Sequence, residues 1–208
     1  MKYWLAFICC GLALTACGSG SSSTTETNIT DTSITSDTNT SSEQVSTTEV
    51  TETTQVTSKI IDYSAMSCED NLIEALTLIN QLRSESQTCG ATTYPAVDAV
   101  TWSSTLTLAA EEHSSNMANY NFFSHSGLDD STVGSRVSAQ GYAWSYVSEN
   151  IAAGQTSVQD VVDGWMESEG HCTNIMSENA QEMGLACAVN ADADYRYYWT
   201  QVFAKPLQ

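Results

Sequence analysis

Residues 183–203 read Met-Gly-Leu-Ala-Cys-Ala-Val-Asn-Ala-Asp-Ala-Asp-Tyr-Arg-Tyr-Tyr-Trp-Thr-Gln-Val-Phe. Two runs rich in β-formers, Met183 to Val189 and Tyr197 to Phe203, flank the turn-forming stretch Asn190 to Asp194, a pattern that predicts an antiparallel hairpin. Upstream of it the periodicity is helical. Leu72, Leu76, Ile79 and Leu82 recur at three and four, predicting an amphipathic helix over about 69–86. A second helix over about 103–121 carries Leu106, Ala109, Ala110, His113 and Met117 on one face. A third, about 131–140, stops at Gly141, a residue suited to ending helices. The fourth begins at Ser157, with Asp160 three residues on as a capping pair, and buries Val158, Val161, Val162 and Trp165. Helices followed by a terminal hairpin predict an α+β layered domain over 60–208.

The chain before that domain divides in two. Lys2 precedes an apolar run, Trp4 to Leu14, of signal-peptide length and too short to span a bilayer. The run ends in Leu14-Thr-Ala-Cys17, which resembles the lipobox of bacterial lipoproteins; 1–17 is the lipoprotein signal segment, and Cys17 is marked as the lipidated residue that comes first after cleavage. The absence of Asp at position 18 points to the outer membrane, on its periplasmic or cell-surface side. Several acyl chains give stable anchoring where one is marginal. Residues 18–59 are mostly Ser and Thr, with no Pro and no aromatic side chain, and bury too little to offset ordering entropy. We expect a disordered tether of about forty residues with a root-mean-square reach of roughly 35 Å.

The formal net charge of −19 argues against nucleic acid as a partner and against attachment to anionic lipid by charge. Membrane contact is assigned to the lipid at Cys17. Cys9 and Cys10 leave with the signal, so four cysteines stay in the domain: Cys68, Cys89, Cys172 and Cys187. Three pairings are possible in an exported protein. Cys68–Cys89 and Cys172–Cys187 are preferred; each closes a loop of roughly fifteen to twenty residues, worth about 3 kcal/mol. No Cys-x-x-Cys spacing supports zinc at these thiols.

The chain has three histidines. His113 sits on the apolar face of the second helix and reads as a packing residue. His125, in Asn121-Phe-Phe-Ser-His-Ser-Gly127, His171, after Gly170, and Glu149, in Ser148-Glu-Asn-Ile-Ala-Ala-Gly154, are placed on loops at element ends. From there two imidazoles and a carboxylate can converge on one cleft, as metal ligands or as acid–base groups.

Several motifs in order resemble a known family: Phe123-Ser-His125, Gly141-Tyr142, Glu149-Asn-Ile-Ala-Ala-Gly154, Gly164-Trp-Met166, Gly170-His-Cys-Thr-Asn-Ile-Met176 and Tyr198-Trp-Thr-Gln-Val-Phe203. Together with Ala110-x-x-His113-x-x-x-Met117 they are similar to the CAP superfamily of cysteine-rich secretory, antigen 5 and pathogenesis-related 1 proteins, in its bacterial branch. The resemblance covers about 72–206. It implies an α-β-α sandwich with a broad cleft in which two His and two acidic residues can hold a divalent ion such as zinc. His125, Glu149 and His171 match three of those positions. The fourth falls at Ser168, leaving Glu167 or Glu169 as candidates.

Three functional readings follow. The first is a non-enzymatic module that binds an apolar ligand or protein partner, with Tyr142, Trp144 and Tyr146 offering an aromatic contact patch unless core packing claims them. The second is a metal-assisted hydrolase of peptides or cell-wall material, with a metal on His125 and His171 and Glu149 as base. The third is a structural or stress-related envelope protein with a vestigial cleft.

Overall fold

A computed structural model describes residues 61–208; the expected signal peptide, Cys17 and all of the Ser/Thr-rich tether lie outside the described residues. The hairpin is present. β5 (Glu182–Val189) and β6 (Tyr197–Pro206) pair antiparallel from Val189↔Tyr197 to Glu182↔Ala204. It forms the centre of a four-stranded sheet in the order β3-β5-β6-β4, where β3 (Thr101–Trp102) runs parallel to β5 and β4 (Trp144–Ala153) runs antiparallel to β6. A separate small hairpin joins β1 (Gln87–Cys89) to β2 (Thr92–Tyr94).

Helices cover both faces. α2 (Ser104–Tyr120) and α3 (Val133–Ala139) pack on one side around Leu106, Ala110, Val137, Val202 and Ala204. The other side holds α1 (Ala75–Arg83), α4 (Val158–Glu167) and α5 (Glu169–Ile175), packed around Ile79, Val162, Trp165, Ile175, Trp199 and Phe203. Strand alternation makes this possible: Trp199 and Phe203 face the α4 layer, whereas Val202 and Ala204 face α2. The fold is therefore the expected α+β sandwich of three layers. Gly184 on β5 is required by that packing, because a Cβ there would run into the Thr107 nitrogen and Leu106 of α2.

The predicted helices are shorter than their periodic patterns. α1 starts at Ala75 after a 3₁₀ turn over Leu72–Glu74, and its fully buried residues are Ala75, Leu78, Ile79 and Arg83, with Leu72, Leu76 and Leu82 half-buried beside them. Arg83 sits inside because its guanidinium donates to the carbonyls of Asp98 and Ile175, at 2.6–2.9 and 2.5 Å, and so satisfies a buried charge with backbone acceptors. Ser157 caps α4 as expected, accepting from the Asp160 N–H at 3.1 Å.

The disulfides differ from the expected pairing. They join Cys68 to Cys187 and Cys89 to Cys172, with Cα–Cα distances of 5.1 and 5.5 Å. Loop-closure entropy prefers the shorter loops by only about 1.5 kcal/mol per bridge, which tertiary packing overrides. The α1 rod, about 13 Å long, separates Cys68 from Cys89, while β1 packs on α5 and the segment before α1 meets β5.

Candidate functional site

β4 organises the site, and the sequence pattern concealed it. Trp144-Ser-Tyr-Val-Ser-Glu-Asn-Ile-Ala-Ala153 lacks the apolar–polar alternation of a half-exposed strand, because Glu149 and Asn150 are both buried, one on each face. Glu149 is thus on a strand and not on a loop. His171 is likewise inside α5, which follows α4 after a sharp turn at Ser168 and is too short to show a helical period. His125 lies on the loop expected for it, just past α2.

Glu149 faces the α2/α3 layer. Its Oε2 accepts from Arg136 Nη2 at 2.7 Å and its Oε1 from His125 Nδ1 at 2.8 Å. Arg136, on α3, also donates to the carbonyls of His125 and Ser131 at 3.1 and 3.0 Å, so a single guanidinium fixes both the carboxylate and the loop that carries His125. His113 is fully buried, as its helical position indicated. Its Nε2 donates to the Ser124 carbonyl at 2.8 Å and lies 4.0 Å from Glu149 Oε1. Burial holds the His113 ring below the ordinary imidazole range, opposed by the Glu149 charge. Glu149, Arg136 and His113 are all nearly solvent-free, whereas the His125 side chain is 57% exposed. Its ring is therefore oriented by Nδ1 and turned outward.

Asn150 faces the other layer. Its Nδ2 donates to Gln201 Oε1 and to the His171 carbonyl, at 3.0 and 3.2 Å, and its Oδ1 accepts from Asn174 Nδ2 at 2.8 Å. The network anchors α5 to the sheet through the His171 main chain and leaves the imidazole free. That imidazole lines a cleft of about 290 Å³ along the outer edge of β4, with Ile151 and Ala153 as floor, Trp165 and Ser168 on one wall, and Phe123 and Tyr195 on the other. Burial, and secondarily the charge of His125, keep His171 below the usual imidazole value.

These positions do not assemble the expected metal centre. Both Glu149 oxygens are already engaged by Arg136 and His125. Glu169 lies against Gly90 of the β1–β2 turn, where a Cβ would clash with its carboxylate. Glu167 is exposed at the end of α4, and neither residue lines the cleft. Among the described residues no group of three or more His, Cys, Asp or Glu side chains is placed to hold a metal ion.

The expected aromatic patch is dispersed as well. Tyr142 packs with the Leu106 cluster, Tyr146 packs on the opposite face, and Trp144 donates its indole N–H to Gly134 O and Ser138 Oγ. The aromatic wall is instead Phe123 and Tyr195, whose ring centroids are 6.0 Å apart. Arg136 went unnoticed in the sequence, although one signal was there: in a chain with only six Lys and Arg, an arginine on a short helix beside apolar Val133 and Val137 has a buried acid to neutralise.

A three-layer sandwich with its His/Glu pair at a sheet edge defines the class of protein. The cysteine-rich secretory protein family model matches residues 76–203, and the chain belongs to that CAP family. It is 31% identical over 99 residues to the protein YkwD of Bacillus subtilis (strain 168), covering 48% of this chain and 37% of YkwD. Among solved structures it is similar to an extracellular SCP-domain protein of Bacillus anthracis, at 28% identity and TM-score 0.46, over 52% of this chain and 34% of that one. It is also similar to an outer surface protein of Borrelia burgdorferi, at 16% identity and TM-score 0.53, over 68% of this chain and all of that one. The chain thus spans little more than a third of the two Bacillus proteins.

Proposed function

We propose that this protein is an exported, lipid-anchored module that binds a ligand or a segment of a partner in the cleft beside β4, without chemical turnover. The cleft carries the reading. It is open to solvent and walled by two exposed aromatic rings, and it lies next to a His125–Glu149 pair immobilised by Arg136. Pre-formed concave sites with an apolar lining and few fixed polar groups are the usual form of ligand pockets. Export is supported by the two disulfides and by the extracellular and outer-surface placement in the names of the Bacillus anthracis and Borrelia proteins. Anchoring rests on Cys17; Cys17→Ser should move the full chain from the membrane fraction to the soluble one, and retention in membranes would refute the anchor.

Gly164→Leu tests the cleft. Gly164 lines it on α4, and a Cβ there meets only Gln155 Nε2 at 3.9 Å, so the position accepts a side chain at the cleft wall. The variant should lose binding across a panel of peptides, acylglycerols and sterols while melting no lower than the parent. Undiminished binding would remove the cleft from consideration.

A second reading has its own observation. A histidine with Nδ1 bonded to a buried carboxylate and its ring turned to solvent has the arrangement of a general base. In that case His125→Ala abolishes hydrolysis of a peptide or cell-wall panel, whereas a chain with no turnover at all leaves the binding module.

A further inference from the structure

We infer that the ligand of this cleft is an extended peptide that adds as a short strand to the outer edge of β4. The inference rests on the cleft reading above and names its occupant from the hydrogen-bonding groups left along that edge.

Antiparallel pairing directs the main-chain groups of alternate residues to the partner strand and those between them away from it. The Gly154 N–H donates to the Tyr197 carbonyl at 2.9 Å and sets the phase. Asn150, Ala152 and Gly154 therefore face β6, and Glu149, Ile151 and Ala153 face outward, in register with Val202, Thr200 and Tyr198. Two side chains verify the direction: Asn174 Nδ2 donates to the Glu149 carbonyl at 3.2 Å, and Trp165 Nε1 to the Ile151 carbonyl at 3.1 Å.

Those two contacts occupy the outward carbonyls of Glu149 and Ile151. From Ala153 onward the edge is open. Among the described residues, the Ala153 N–H and C=O have no partner, nor does the Ile151 N–H, and both residues line the cleft. Gln155 Oε1, two residues on and lining the same cleft, is buried with no partner either. Two N–H donors, at Ile151 and Ala153, stand at the two-residue spacing of a strand and are followed by two acceptors, the Ala153 C=O and the Gln155 side-chain Oε1. A polypeptide supplies the complementary C=O and N–H groups at that repeat; a lipid tail or a sterol has no such row. The ligand's side chains would alternate between the Phe123–Tyr195 pair and the Val161–Trp165 wall, which selects apolar residues. Because Asn174 and Trp165 occupy the Glu149 and Ile151 carbonyls, the added strand extends no further than the Ile151 N–H and needs only about three residues.

The test uses the full chain and acetyl-Leu-Ala-Leu-Ala-amide as probe, followed by amide NMR. The peptide should shift the Ile151 and Ala153 amide resonances and slow hydrogen exchange at Ala153. Its fully N-methylated form keeps the side chains and loses the donors, and it should bind about tenfold or more weakly. Gly164→Leu should abolish both effects. Equal binding of the two peptides, or no binding of either, overturns strand addition. The cleft reading survives that result if another member of the ligand panel binds and is displaced by Gly164→Leu.

Discussion

Glu149 and Asn150 are consecutive on β4, both buried, and opposite in their requirements. Glu149 enters the α2/α3 layer as a charge, and the fold supplies Arg136, His125 and a nearby His113 to meet it. Asn150 enters the α5 layer as a neutral amide and is satisfied by two further amides and a carbonyl. A buried charge demands a counter-charge, whereas a buried amide demands only partners. One face of the strand is therefore electrostatically committed and holds His125 in place. The other is a neutral adhesive that positions α5 and the cleft wall.

Breaking the charged face should have the largest effect. Glu149→Ala strands Arg136 in a solvent-free site and should cost about 3–5 kcal/mol in urea unfolding. If the Arg136→Met, Glu149→Leu pair is no more stable than the single variant, charge compensation is the wrong account of that face. Asn150→Ala should cost less, about 1–3 kcal/mol, and should loosen α5, seen as faster amide exchange over 169–175. A loss as large as that of Glu149→Ala would erase the contrast between the faces.

The smallest effect is one of pH. His113 is held below its ordinary value of 6.5, chiefly by burial, so the unfolded chain binds this proton more readily than the folded one. Its contribution is intact above that ordinary value and is lost as pH falls toward the lower folded value. His171 shifts in the same direction. Unfolding free energies at about pH 7.5 and about pH 5.5 should therefore differ, and His113→Gln should flatten the difference. An unchanged slope would place the titration elsewhere.

The contrast also explains which parts of the site were readable in the sequence. His113 was legible as a packing residue because an i, i+3, i+4 face identifies it without knowledge of its neighbours. β4 was not, because its buried polar residues resemble a loop until the partners on both sides are known. Glu149 and His171 were picked out by their motifs, but their supports were misjudged: one is on a strand, the other on a seven-residue helix. Arg136, the clamp on Glu149 and the His125 loop, comes from a third element, and no local pattern links it to either.

Local patterns fixed the hairpin of β5 and β6, the apolar face of α2, the cap of α4, and the layered α+β class, since each depends on residues a few positions apart. The family motifs added the three-layer order. Tertiary structure alone decided the cysteine partners, the fourth strand, the burial of Arg83 and Arg136, and the separation of Glu149 and Asn150 onto opposite faces. Those outcomes depend on which surfaces meet, the cysteine partners across 83 and 119 residues of chain. Over such distances loop entropy discriminates weakly, and close packing with the pairing of most buried polar groups makes the choice.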